Sequence, residues 1–236
     1  MLGGNDRFWC FGRIPKPTFE EERLCDVHRW GFVSSLRALR ILGMSREDQI
    51  LSAATRLFSE RSFDGVGVDA IAAAAGITGS AVYRHFSSKD EVLAALFDRL
   101  LDALLIRIGE PIDSPEAELE RLIAAHVEFS IGNPELTTIW NREQATLSQV
   151  YRANIMRRQR MYIDRWIAAL DANFPGHARE ELAAAVRAVH GLISSDTSRR
   201  EGAKRPSDIA GMLHHMARAA LTALAGDRAV DAVRGA

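Results

Sequence analysis

Six side chains between positions 78 and 89 combine hydroxyls, a phenol, a guanidinium, an imidazole and an ammonium: Thr78, Ser80, Tyr83, Arg84, His85 and Lys89. They are hydrogen-bond donors and one flat ring, suited to gripping phosphate oxygens and reading the edges of bases. To act together they must share one exposed face. The surrounding sequence shows how that is arranged.

Residues 68–89 read as two short helices joined by a tight turn. The first is expected over about residues 69–75. Gly76 ends it, because glycine tolerates the positive φ of a helix terminus. Thr78 caps the second, expected over about residues 79–84, by accepting a backbone N–H through its hydroxyl. The run Ala72-Ala73-Ala74-Ala75 lets the two helices cross closely. Ile71, Ile77, Val82 and Phe86 then fill the space against a helix behind them. This is the layout of a helix-turn-helix, whose second helix enters the DNA major groove. A helix–glycine–helix hairpin alone is more often packing than DNA binding. The register of the polar string moves the reading toward DNA.

The string Tyr83-Arg84-His85-Phe86-x-x-Lys89-Asp90-Glu91, preceded by Ile71-Ala72-x-x-Ala75-Gly76-Ile77, resembles the signature of the TetR family of bacterial repressors. The resemblance covers roughly residues 46–105 in motif, and the rest of the chain in helical layout alone. It implies an all-α fold, with an N-terminal three-helix helix-turn-helix DNA-binding head plus a C-terminal helical ligand-binding and dimerisation domain. It also implies that Tyr83, His85 and Lys89 hold backbone phosphates of double-stranded operator DNA, bound by a homodimer. Ser80 and Arg84 are the expected base readers. One departure is Gly67, where members often carry a capping threonine, so one phosphate-contacting hydroxyl is lost.

The elements that position this face follow from helical signals. Ser45 and Asp48 stand in capping-box spacing. Ile50, Leu51, Ala54, Leu57 and Phe58 carry a first helix to about Arg61, packed across the back of the pair. Ser87 or Ser88 opens a fourth helix, with Asp90 and Glu91 favourably placed in its first turn. It runs to about residue 108, and its apolar residues cover more than one face. It should therefore be buried on two sides, between head and body, so that a shift of this helix moves the head. The expected limits are 45–91 for the head (helix-turn-helix 69–88), 92–226 for the body and 227–236 for a tail. Residues 1–44 read as an irregular extension. Met44 stands where a family member would begin, so the upstream segment is expected to be a mis-assigned start. The rival is a disordered arm that adds DNA or partner contacts. The intact mass of the native protein separates the two.

In the body, helices are expected at 115–130, from Asn133-Pro134, at 146–171, at 179–194, and from Pro206 or Ser207 onward. Phe97, Leu100, Leu104, Phe129, Trp140, Tyr162 and Trp166 are candidate walls of a pocket for a small apolar or aromatic effector. At helical spacing each of them is more often ordinary core. The long helix carries Arg152, Arg157, Arg158, Arg160 and Arg165. A solvated face is the plainer reading of that set. Arg157 or Arg158 is the candidate partner for an acid group on the ligand. The stripes Leu182, Val186, Val189, Ile193 and Ile209, Leu213, Met216, Ala220 would pair with their copies in a four-helix dimer interface, unless both face the chain's own core.

Composition bounds the rest. The chain has 236 residues, 47% hydrophobic and 26% charged, which is ordinary for a globular protein. A net charge of −1 excludes a generally basic nucleic-acid binder. DNA affinity must come from placed groups, Arg46, Arg56 and Arg61 beside the six above, which argues for dimeric binding. No run reaches the roughly 20 apolar residues of a transmembrane helix, so no membrane partner is expected. Cys10 and Cys25 match no zinc spacing, and a cytoplasmic location is the natural expectation. The histidines form no metal-binding pattern, and a lone histidine in a helical core is usually a hydrogen-bonded core residue. No phosphate loop or nucleophile motif appears. No catalytic residue, metal or cofactor is expected. The leading function is a ligand-released repressor. The alternatives are a helical interaction protein without DNA binding and, behind it, an all-α enzyme.

Overall fold

Local capping signals decide where most helices begin in the computed structural model, which describes residues 45–198 and 204–225. Helix α1 (Arg46–Arg61) starts at Ser45, whose Oγ accepts from the Asp48 amide while the Asp48 carboxylate accepts from the Ser45 amide. It is followed by α2 (Val68–Ala75), α3 (Gly79–Val82) and α4 (Lys89–Ile108). The body adds α5 (Pro115–Gly132), α6 (Pro134–Glu143), α7 (Gln149–Asn173), α8 (Arg179–Ser194) and α9 (Ile209–Thr222). Ser88 caps α4 through the Glu91 amide, and Ser114 caps α5 ahead of Pro115. No strand occurs among the described residues. The fold is all-α. The extension at 1–44, with Cys10, Cys25, His28 and the proposed start at Met44, lies outside the described residues, as does the tail at 227–236.

Three boundaries differ from expectation. The recognition helix is a single α-turn, Gly79–Val82; Tyr83 is its C-cap and residues 83–85 form a turn. Helix α7 spans Gln149–Asn173 rather than 146–171. Helix α9 begins at Ile209, not at Pro206 or Ser207, because the Asp208 carboxylate accepts the Gly211 amide at 3.0 Å and so supplies the cap.

Helices α1 to α3 share one small core. Ile71, Val82 and Phe86 are buried, Ile77 is half-buried, and the Phe58 and Phe63 rings meet at 5.4 Å. Helix α4 is buried along Val92, Leu93, Leu96, Phe97, Leu100, Leu101, Leu104 and Ile108, on more than one face. It contacts α1 on one side and α5, α6 and α7 on the other. Arg99 of α4 ties back to the first turn of α1 through Asp48 at 2.6 Å. Helices α5, α7, α8 and α9 pack on one another to make the body.

Candidate functional site

The outward face of the helix-turn-helix follows from two glycines and one cap. Gly76 adopts the left-handed conformation, φ 68° and ψ 33°, that turns the chain between α2 and α3. Gly79 stands where a Cβ would lie 2.7 Å from Asp69 Oδ1, so a larger residue there would require the Asp69 side chain to move. Thr78 Oγ1 accepts from the Ala81 amide and lies 3.0 Å from Ser80 Oγ. Thr78, Ser80, Arg84 and His85 are exposed, and Tyr83 is 57% exposed, unusual for an aromatic residue. The side chains of Tyr83, Arg84 and His85 make no hydrogen bond or ion pair to another described residue. Lys89 is placed differently. Its ammonium donates to the Phe63 carbonyl at 2.8 Å and lies 4.0 Å from the centre of the Phe63 ring.

Phe63 belongs to a junction that joins head to body. Ser62 ends α1 at φ 68°, a conformation that costs a residue with a Cβ of order 1–3 kcal/mol. The surrounding contacts hold it there. Arg142, near the end of α6, donates to the carbonyls of Phe58 and Ser59. The buried Glu143 carboxylate accepts from the Phe63 amide at 3.1 Å and from Arg142 at 2.7 Å. Sequence reading did not flag these two residues. Their partners lie some 80 positions earlier.

One turn back on α6, Thr137, Trp140 and Asn141 line a cavity of about 70 Å³ inside the body. Leu100, Leu101 and Leu104 of α4, and His126, Phe129 and Ser130 of α5, supply two further walls. Gln159, Tyr162 and Ile163 of α7, with His190 and Ser194 of α8, complete the lining. Of the expected wall residues, Phe97 and Trp166 do not line it. Phe97 is packed edge-on behind Trp140 at 4.8 Å, and Trp166 is fully buried edge-on to His190 at 4.8 Å.

The polar part of the cavity was not expected. The His126 and His190 rings stack at 3.9 Å, inclined by 13°, and His126 Nδ1 is 2.9 Å from the Tyr162 hydroxyl. Burial pushes the His126 imidazole down to about 4 and the Tyr162 phenol well up. Burial and the neighbouring His126 push His190 well down too. At neutral pH all three are therefore uncharged. A signal was present in the sequence: His126 follows Leu122, and His190 follows Val186, at the four-residue spacing of a buried stripe.

Two expectations are corrected here. Leu182, Val186, Val189, Ile193, Ile209 and Leu213 are buried within the chain's own core, so their side chains are not available to a partner. Only Met216 and Ala220 of that set are exposed. Helical period reveals an apolar stripe but not which neighbour covers it. The outward faces carry Ala184, Ala188 and Gly191 on α8, and Met212 and Met216 on α9. Arg158 is neither solvated nor waiting for a ligand acid. It is ion-paired with Asp98 and Asp102 of α4 and does not line the cavity. Arg157 bonds Asn154 at 3.0 Å. Arg165 joins the buried Glu118, whose carboxyl burial pushes up but Arg165, the Ile112 amide and Arg121 together hold below its usual range.

Comparison with known proteins covers both halves of this arrangement. The sequence model described as bacterial regulatory proteins, tetR family, matches residues 50–96. The one described as tetracyclin repressor-like, C-terminal domain, matches residues 113–221. The HTH-type transcriptional repressor KstR2 of Mycobacterium tuberculosis (strain CDC 1551 / Oshkosh) is 29% identical over 143 residues, 58% of this chain and 72% of that protein. The HTH-type transcriptional activator FasR of Mycolicibacterium smegmatis is 34% identical over 93 residues, 39% of this chain and 42% of that protein. The crystal structure of AibR in complex with isovaleryl coenzyme A and operator DNA shares the fold. Its TM-score is 0.62 at 23% identity, covering 73% of this chain and 97% of that one.

Proposed function

The chain belongs to the TetR family of bacterial transcriptional regulators, and on that premise we propose that it is a repressor that binds a near-palindromic operator as a homodimer and is released by a small effector. The observation that carries this is the outward face of the head. The side chains of Tyr83, Arg84 and His85 stand exposed and without partners among the described residues at the end of α3, beside Thr78 and Ser80. In this reading Tyr83 and His85 hold phosphates, while Ser80 and Arg84 reach base edges. Lys89 donates one N–H of its ammonium to the Phe63 carbonyl, and a phosphate would be met by the others. It acts first as a strut that fixes the end of α1 against α4. The choice of repressor over activator follows the longer of the two sequence matches, the one to KstR2.

Dimerisation is assigned to the exposed faces of α8 and α9. Ala184, Ala188 and Gly191 are spaced along one side of α8, and Met212 and Met216 lie on α9, so a second copy can approach closely on an apolar surface. The effector site is assigned to the cavity that α4, α5, α6, α7 and α8 line. Helix α6 connects the two. It lends Thr137, Trp140 and Asn141 to the cavity and clamps α1 through Arg142 and Glu143. A ligand that moves α6 therefore shifts the head, and only by as much as its affinity differs between the two positions.

The test is a gel shift and footprint on DNA flanking the gene, at two salt concentrations. A protected near-palindrome, weakened steeply by salt, supports the reading. A folded dimer that shifts no DNA, even after selection from genomic fragments, overturns it in favour of an interaction protein. Arg142→Ala tests the coupling: DNA binding should persist while release by effector weakens.

A further inference from the structure

The cavity has no charge to offer. Among the described residues that line it there is no Asp, Glu, Lys or Arg. The nearby guanidiniums are committed elsewhere, Arg158 to Asp98 and Asp102, and Arg165 to Glu118 and the carbonyls of Ile108 and Gly109. The two histidines supply no cation either, because imidazoliums stacked at 3.9 Å would repel and burial already holds both rings neutral. A carboxylate entering this space would lose its hydration and gain no counter-ion.

What the cavity does offer is hydrogen bonding. His190 Nε2 and Ser130 Oγ are closed off from solvent and have no hydrogen-bond partner among the described residues. Ser130 is 2% exposed. Buried polar atoms are nearly always paired, and these two belong to residues that line the same cavity. The hydrocarbon part of the lining comes from Leu100, Leu101, Leu104, Phe129, Trp140 and Ile163.

We propose that the cavity takes an uncharged ligand, a small ketone, alcohol or phenol with a compact hydrocarbon body, whose oxygen is met by His190 Nε2 and Ser130 Oγ. The proposal rests on reading this cavity as the effector site. It replaces the acid group that a long helix rich in arginine invites. A neutral oxygen fits either protonation pattern of the imidazole: a carbonyl accepts from an Nε2–H, and a hydroxyl donates to a bare Nε2.

The test uses the full chain without DNA at pH 7.5, titrated with cyclohexanone, cyclohexanol, cyclohexanecarboxylate and methylcyclohexane. Fluorescence of Trp140, which lines the cavity, and of Trp166 beside His190 reports occupancy. The ketone and alcohol should bind at least about tenfold more tightly than the carboxylate. His190→Phe combined with Ser130→Ala should lower ketone affinity about tenfold and leave methylcyclohexane binding in place, which shows that the variant is folded and its cavity open. Ser130→Ala alone should give a smaller loss in the same direction. Equal or tighter binding of the carboxylate overturns the proposal. So does an unchanged ketone affinity in the double variant, or failure of every probe to bind the unaltered protein. The regulator reading fails separately. If the ketone preference holds but the protein shifts no DNA, the ligand class stands and the repressor does not. If the footprint appears and the carboxylate wins, only the ligand class is lost.

Discussion

The head and the body both present polar groups that lack protein partners, but in opposite surroundings. At the tip of the head, Tyr83, Arg84 and His85 face water. In the body, His190 Nε2 and Ser130 Oγ are closed off from solvent, on residues that line the cavity. The difference lies in charge. Water solvates a waiting guanidinium at little cost, so the head can keep its cations ready for an anionic polymer. A buried site has no such solvent, so it must wait with neutral groups or pair its charges fully, as Arg158 does with Asp98 and Asp102. On the proposed reading, the same rule suits one surface to phosphates and the other to an uncharged ligand.

The largest effect should come from placing the same charge in both regions. Ser130→Asp should destabilise the fold by about 3 kcal/mol or more, because a carboxylate there has no cation and no water. Ser80→Asp, on the exposed face, should change stability by only about 0.5 kcal/mol while sharply weakening DNA binding. Urea melts and gel shifts on the pair measure both. If Ser130→Asp is tolerated, the cavity is wet and the contrast collapses.

Acid is the next probe. His126 and His190 are held neutral in the folded chain, so below about pH 6.5 the unfolded chain binds protons that the folded one refuses. Their effect on stability is absent above pH 6.5 and grows as the pH falls toward 4. His126 alone should then remove about 2 kcal/mol by pH 5, seen in melts at pH 7.5, 6 and 5. The Glu118 carboxyl, held low, adds its own loss only below its unfolded value near 4.5, so the two windows are separable. His126→Phe should flatten the upper window.

On the head, Arg84→Ala should cost about 1–3 kcal/mol on the preferred operator and blur the preference among sequences. Tyr83→Phe should weaken all sequences alike. A uniform loss for both would remove Arg84 from base reading. Lys89→Ala should weaken all sequences too, and because its ammonium holds the Phe63 carbonyl it should also lower thermal stability. The smallest change is Thr78→Ala, which removes the α3 cap for about 1 kcal/mol of stability.

The head was almost fully legible in the sequence because its determinants are local. Ser45 with Asp48, Gly76 and Thr78 each act within three or four residues of their partners, a range over which order in sequence is order in space. The turn residues, the alanine run and the polar string from Thr78 to His85 could all be placed from the sequence, whereas the Lys89 bond to Phe63, 26 positions earlier, could not. The body was legible only as helices and stripes. Period could say that Leu182, Val186, Val189 and Ile193 share a face, but not that the covering surface is the same chain. It could count arginines on α7, but not send Arg158 to acids about 60 positions earlier. The stacked histidines and Tyr162 meet from three helices, with 36 residues separating His126 from Tyr162. Whether a polar group on a buried stripe is a satisfied core residue or the wall of a site depends on what the other helices leave empty beside it. Only the tertiary packing decides that, because sequence spacing fixes direction within one helix and says nothing about distance to the next.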